Sequence, residues 1–253
     1  MNIVTYDGSF EGFLTAVFEV YEYKINQPSI CSEGANTGSL FGKIHEAITS
    51  REKSKRVFEK ISDRLGHKGL SELRKTFLSE IKDIENVLFR YIAYALQSKN
   101  YIASDYSHPD VLLVHQTNKK VHREKHRMEA FVRFQCTKDQ LYYAIIQPDY
   151  NVLPLISNHF EKRYADQRWL IYDIRRKYGL YYDLNKVDEV SMTFEIDLNN
   201  KETLETIFDE KEELYQALWQ QYFQSVNIKA RKNMKLHIRH MPKRYWKYLV
   251  EKQ

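Results

Sequence analysis

Two histidines four residues apart, His122 and His126, open the stretch of this chain richest in groups able to do chemistry. A spacing of four places both on one face of a helix, and at about 100° per residue His115, Lys119 and Arg133 join them. Such a face can hold a metal or an anion. The metalloprotease arrangement needs a Glu directly after the first His, but Arg123 stands there, and no carboxylate at ligand spacing completes a site. Arg123, Lys125 and Arg127 would also repel a cation. The face is therefore read as basic and polar, suited to a phosphate, and neither a metal nor a bound cofactor is expected.

A second set lies downstream. His159 and Arg163 are four apart, and Asp173 is followed closely by Arg175. If these converge with His126 and Arg133, the result is a pocket of His, Asp and Arg that can hold a phosphate and move a proton. His126, His159 and Asp173 are the catalytic candidates in that case. The plainer alternative is an ion-pair network with Asp173 on an arginine and His159 satisfied by backbone. A nucleophile is hard to find, because Ser157 and Cys136 lack the strand-turn-helix signature of a triad serine or an equivalent context. Gly34-Ala-Asn-Thr-Gly38 is not followed by Gly-Lys-Ser/Thr and does not make a phosphate-binding loop.

The third set is the end of the chain. From Lys229 to Lys252 nine Lys or Arg stand against the single acid Glu251, so a net charge of +5 leaves the rest of the chain mildly acidic. Within Lys235-Leu-His-Ile-Arg-His-Met-Pro-Lys-Arg-Tyr-Trp-Lys247 the cations interleave with aromatic rings. Cations meet phosphates and rings stack on bases or pack on a core. Trp246 with Leu249 reads as a packing anchor, and the lysines and arginines as a phosphate-facing surface. The residues expected to touch nucleic acid are Arg127, Arg133, Arg163, Arg175, Lys243, Arg244 and Tyr245, and DNA is the expected partner.

Several classes are set aside by composition. No apolar run approaches the roughly 18 residues needed to cross a bilayer, and the start has no basic and apolar leader, so a cytoplasmic protein without a membrane partner is expected. Cys31 and Cys136 lie far apart with no second sulfur near either, which points to free thiols. The 19 tyrosines and 13 phenylalanines against 8 glycines describe a chain that packs through large amphipathic rings.

The elements that must position these groups follow from periodicity. Asn2–Tyr6 reads as a strand, and Ser9 caps a helix from Phe10 whose inner face is Phe10, Phe13, Leu14, Val17, Phe18 and Tyr21. Residues 27–40 read as a loop. Helices are expected over 52–65, stopped by Gly66 and Gly69, and from a cap at Ser71 to about Ser98. Asn100–Pro109 is the expected boundary between a mainly helical region, 1–100, and an α+β domain, 101–253. In the latter come a helix over 110–128, a hairpin of 131–136 with 141–147, a helix over 152–164, and a hairpin of 169–174 with 179–184. The order helix-hairpin-helix-hairpin suggests a four-stranded antiparallel sheet covered by helices on one face, its other face polar and aromatic and open to nucleic acid. A strand over 190–196, a helix over 204–223 and C-terminal helical turns from Pro242 complete the expectation.

His126-Arg-Met-Glu-Ala-Phe-Val-Arg-Phe134, Val152-Leu-Pro-Leu155 with His159-Phe160 and Arg163-Tyr164, Trp169-Leu-Ile-Tyr-Asp173 and Met241-Pro-Lys-Arg-Tyr-Trp246 together resemble a bacterial family of DNA metabolism proteins with no assigned mechanism. The opening Tyr6-Asp-Gly-Ser-Phe-Glu-Gly12 is similar to the start of that family, so the resemblance extends over nearly the whole chain. It implies a link to a radical SAM protein of DNA modification or repair. The iron-sulfur cluster and S-adenosylmethionine would belong to that partner, since this chain has only two cysteines. Some members resemble a partner domain fused to a uracil-DNA glycosylase-like domain, which is not expected here. The resemblance carries over no catalytic residue.

Overall fold

A computed structural model describes residues 2–34, 43–138, 140–191, 238–249 and 252. The expected helix 204–223, most of the expected strand 190–196, and Lys229, Arg231, Lys232 and Lys235 of the basic tail lie outside these residues. The chain divides into two compact units, Met1–His122 and Arg123–Gln253. The division falls inside the helix Pro109–Phe131.

The first unit begins with β1 (Asn2–Tyr6) and α1 (Phe10–Glu22). Ser9 caps α1, its hydroxyl accepting from the N–H of Gly12 at 2.9 Å. Asp7 turns back over the same helix end, accepting from the Ser9 N–H and the Thr49 hydroxyl. Its carboxylate lies so close to Gly12 that a Cβ there would collide with Asp7 Oδ1. The glycine is required by this close approach. α1 buries Phe13, Leu14, Val17 and Val20, whereas Tyr21 at the edge of the expected face is exposed.

Residues 27–40, expected as a loop, include β2 (Pro28–Ser32), and β3 (Lys43–Glu46) follows. Both pair in parallel with β1, giving the order β2-β1-β3. Pro28 is compatible because it is the first residue of an edge strand, where no ladder N–H is demanded of it. Helix α2 (Arg51–Phe77) changes direction at Gly66, whose φ of 67° and ψ of 177° are not helical. α3 (Ile84–Gln97) starts afresh after a turn in which Glu80 and Asp83 adopt positive φ, so the long helix expected from Ser71 to Ser98 is two. Val4, Tyr6, Phe13, Ile61, Leu65, Leu73, Leu88, Tyr91 and Ile92 belong to one buried cluster that also takes in Val111 and Val114 of α4 (Pro109–Phe131).

The second unit holds the end of α4, then β4 (Gln135–Cys136), β5 (Tyr142–Ile146), α5 (Leu153–Arg163), β6 (Trp169–Asp173), β7 (Tyr178–Tyr182) and β8 (Val187–Val190). The protein is of mixed α+β character. Its second sheet is not the four-stranded antiparallel one expected. It has five strands in the order β4-β5-β6-β7-β8, and β5 and β6 are parallel, joined by α5 as a crossover. The pairs β4/β5, β6/β7 and β7/β8 are antiparallel. Pro154 falls in the first turn of α5, where its missing N–H has no partner to lose. Trp169 is fully buried among Phe134, Phe160 and Tyr182, with Tyr182 directly opposite it on β7 and stacked at 5.5 Å. Every residue of β6 is buried, so neither face of the sheet is open along its central strand. A 3-10 helix, Lys243–Tyr248, lies at the C-terminal end. No described helix is long and apolar enough to cross a membrane, and Cys31 and Cys136 are both free thiols.

Two outcomes follow from these backbones. At Gly66 a Cβ would meet nothing within 4 Å, so Gly66→Ala is opposed only by its conformation. It should lower stability in urea unfolding by about 1–3 kcal/mol. In the β7–β8 turn Asp183 accepts from the N–H groups of Lys186 and Asn185, and these two bonds hold its pKa below the ordinary value. Its contribution is present above the unfolded pKa and is lost as pH falls through the lower folded one. The Asn185 and Lys186 amide signals should therefore titrate with a midpoint below the ordinary Asp range, and a midpoint at or above it would contradict the turn.

Candidate functional site

The inner stripe of α4 runs Val111, Val114, Thr117, Val121, Glu124 and Met128, all buried and spaced by three or four. A carboxylate in that series, 1% exposed, has to be compensated where it lies. Glu124 Oε1 accepts from the Asp149 N–H at 2.9 Å and from the Tyr245 hydroxyl. Oε2 accepts from Arg244 Nη2 at 3.1 Å and faces Arg127 Nη1 at 3.6 Å. One side chain thereby ties together α4, the loop after β5 and the 3-10 helix.

The hydroxyl of Tyr245 also accepts from Arg244. Burial, and next the carboxylate that takes its hydrogen bond, raise the pKa of Tyr245, so the phenol stays a neutral donor. At Arg244 burial works against the charge, but Tyr245, Glu124 and Asp149 outweigh it and the pKa lies above the ordinary value. Asp149 Oδ2 meets Arg244 Nη2 at 2.7 Å.

The same loop receives cations from the β6–β7 turn. Arg175 Nη1 donates to the Asp149 carbonyl at 2.9 Å, and Arg176 donates to the carbonyls of Pro148 and Asp149. Asp173, wholly buried at the end of β6, shapes that turn. Its Oδ1 accepts from the N–H groups of Arg175 and Arg176, and its Oδ2 takes Arg176 Nη1 at 2.7 Å. Lys247 and Tyr248 both donate to the Gln147 side chain, at 2.8 and 2.9 Å. Residues 147–149 thus gather Arg175, Arg176, Arg244 and Lys247, and Arg127 joins them through Glu124, with Glu124, Asp149 and Asp173 as the counterions.

Of the residues singled out in the sequence, Arg127, Arg175, Arg244, Tyr245 and Asp173 belong to this network. Lys243 stands beside it, exposed at the head of the 3-10 helix. His126 and His159 lie elsewhere, on either side of Glu129, with their Nδ1 atoms 3.7 and 3.9 Å from its carboxylate. Lys125 is also bonded to Glu129. Asp173 shares no bond with either histidine. His126 is largely exposed and His159 half-buried. Arg133 donates to the carbonyls of Ala130 and Val132 at the end of α4, and Arg163 lies over the Tyr164 ring at 5.8 Å. His115 packs on Tyr106 in the first unit. Among the described residues no group of three His, Cys, Asp or Glu could hold a metal ion.

Glu124, Glu129 and Arg176 are not among the residues that the sequence singles out. Glu124 does have a signal, since it is the one charged residue in a run of threes and fours that is apolar apart from Thr117. Glu129 falls three residues after His126, a helical neighbour spacing.

Fold and network define an α+β protein whose second unit is closed by a buried acid, a tyrosine and an arginine. The chain belongs to the family described as a domain of unknown function, DUF4130, whose model matches residues 82–251. The match takes in α3, α4 and the second unit and leaves residues 1–81 outside it. Neither a curated protein nor a solved structure matches the chain.

Removing the carboxylate in Glu124→Ala leaves Arg127 and Arg244 with a lost counterion, and should cost on the order of 3 kcal/mol in urea unfolding. Tyr245→Phe removes a single hydrogen bond to a charged group and should cost about 1–2 kcal/mol. Because both act on one network, the double variant should lose less than the sum.

Proposed function

We propose that this protein is an accessory nucleic-acid-binding protein of DNA repair or modification that acts in the cytoplasm beside a radical SAM protein. The supporting observation is how the guanidinium groups around residues 147–149 are held. Arg244 makes its bonds through Nη2, and among the described residues Nη1 and Nε are bonded to nothing. Among the described residues the side chain of Arg175 likewise uses only Nη1. Each is fixed from within and keeps donors on its outer edge, which suits the planar recognition of a phosphate. Two of the three counterions, Glu124 and Asp173, are buried, so the cations dominate what an approaching polyanion meets. Lys243 and Lys247 extend the same surface. The radical SAM association rests on the family resemblance of the sequence motifs. Buried Asp173, held by Arg176 and turn amides, argues against a reading in which it forms a catalytic site with His126 and His159.

The proposal is tested by the salt dependence of DNA binding. The logarithm of the affinity should fall linearly with the logarithm of salt concentration. Arg175→Ala and Lys243→Ala should each weaken binding irrespective of base sequence and reduce the slope by about 1. Absence of any binding at low salt would sink the proposal.

A further inference from the structure

Five carboxylates are buried among the described residues: Glu19, Glu72, Asp110, Glu124 and Asp173. Four of them are bonded to a lysine or an arginine, Glu19 to Lys53, Asp110 to Arg90, Glu124 to Arg244 and Asp173 to Arg176. Glu72, 9% exposed on the inner side of α2, has neither a hydrogen bond nor an ion pair. A charge mostly removed from water and left uncompensated by the chain calls for a cation from outside.

Tyrosines gather beside it. One turn beyond Glu72 the Thr76 hydroxyl donates to the Val114 carbonyl at 3.2 Å and fixes α2 against α4. From α3 comes Tyr91, buried, its hydroxyl without a hydrogen bond among the described residues. Burial, and next the charge of Glu72 followed by Tyr101 and Tyr106, raise the pKa of Tyr91, so these groups share one neighbourhood and the phenol is neutral. Tyr101 and Tyr106 belong to the loop between α3 and α4, and both are exposed. That loop is tied down by buried Ile102 and by the Tyr94 hydroxyl, which donates to Asp105 at 2.7 Å. His115 of α4 lies against the Tyr106 ring at 4.6 Å.

We propose that Glu72, Tyr91, Tyr101 and Tyr106 form a binding site for a primary alkylammonium group, the end of a free diamine or of a lysine side chain. Glu72 supplies the counter-charge, and the tyrosines supply ring faces and phenol oxygens. Because so little of Glu72 is open, the carboxylate is reached by a charge at the tip of an unbranched chain and not by a broad guanidinium or trimethylammonium group. Exposed Tyr101 and Tyr106 then cover the methylenes behind that charge. A metal ion would lack the three side-chain ligands that hold one. The site lies in the first unit and owes nothing to the cations at residues 147–149.

The test titrates the full chain in a calorimeter, at fixed ionic strength, with putrescine, with Nα-acetyl-lysine N-methylamide and with uncharged n-butanol. At least one of the two amines should bind at a single site per chain, and n-butanol should not. The tighter-bound amine identifies the source, putrescine a free ligand and the capped lysine a side chain of a partner protein. Glu72→Gln, which keeps the shape and loses the charge, should weaken binding about tenfold or more. Tyr101→Ala, at an exposed position, should weaken it about two- to fivefold. Thermal unfolding midpoints establish that each variant is folded, and Tyr101→Ala supplies the reading where Glu72→Gln is not. No binding of either amine, equal binding of n-butanol, or an affinity that either folded variant leaves unchanged would overturn the site.

Discussion

A carboxylate held out of water is the constraint on which the second unit depends. Glu124 sits in the apolar stripe of α4, where burial disfavours its charge unless donors surround it. Those donors come from distant parts of the chain: a backbone N–H of the loop after β5, the hydroxyl of Tyr245 and the guanidinium groups of Arg244 and Arg127. Their geometry follows from the acid. The 3-10 helix is held where Tyr245 can reach in, and Arg244 is bonded along one edge. A surface that looks like a cluster of cations from outside is therefore organised by an anion from inside.

The mixed sheet explains why the groups that look convergent in the sequence take separate places. β6 is the central strand of the sheet and is buried throughout, and Asp173 at its end is committed to the turn that follows. His126 near the end of α4 and His159 on α5 instead flank Glu129. The crossover through α5 sets both arrangements. It places β6 beside β5 in the same direction and delivers the β6–β7 turn to the loop that follows β5.

Features controlled by local chemistry are legible in the amino-acid sequence. The Ser9 cap, the position of Pro154 in a first turn and the division of 131–184 into strands about a helix depend on neighbours along the chain. Pairing partners do not. β2 and β3 escape a reading by pattern because a short strand in a parallel sheet is defined by a partner tens of residues away, and Pro28 and Gly34 give the stretch the look of a loop. The break before α3 is hidden because Glu80 and Asp83 adopt positive φ without a glycine to announce it. The parallel β5/β6 pairing is invisible for the same reason as β2, since two hairpins and a helix fit several sheets. The roles of Arg244 and Tyr245 are half legible. Their types suggest contact with phosphate, but the acid that holds them lies some 120 residues upstream, beyond what spacing can reveal.

That separation has a consequence for how the protein is made. Glu124 leaves the ribosome long before residues 244 and 245, and through that interval its strongest donors have not yet been synthesised. The buried cluster of the first unit, among the described residues, runs no further along the chain than Val114, so these residues have all been made by then and can pack during translation. Until the 3-10 helix emerges, the donors left to Glu124 are the Asp149 N–H and Arg127. A chain halted short of Arg244 would leave the Glu124 carboxylate on the inner stripe of α4 without the Tyr245 and Arg244 donors.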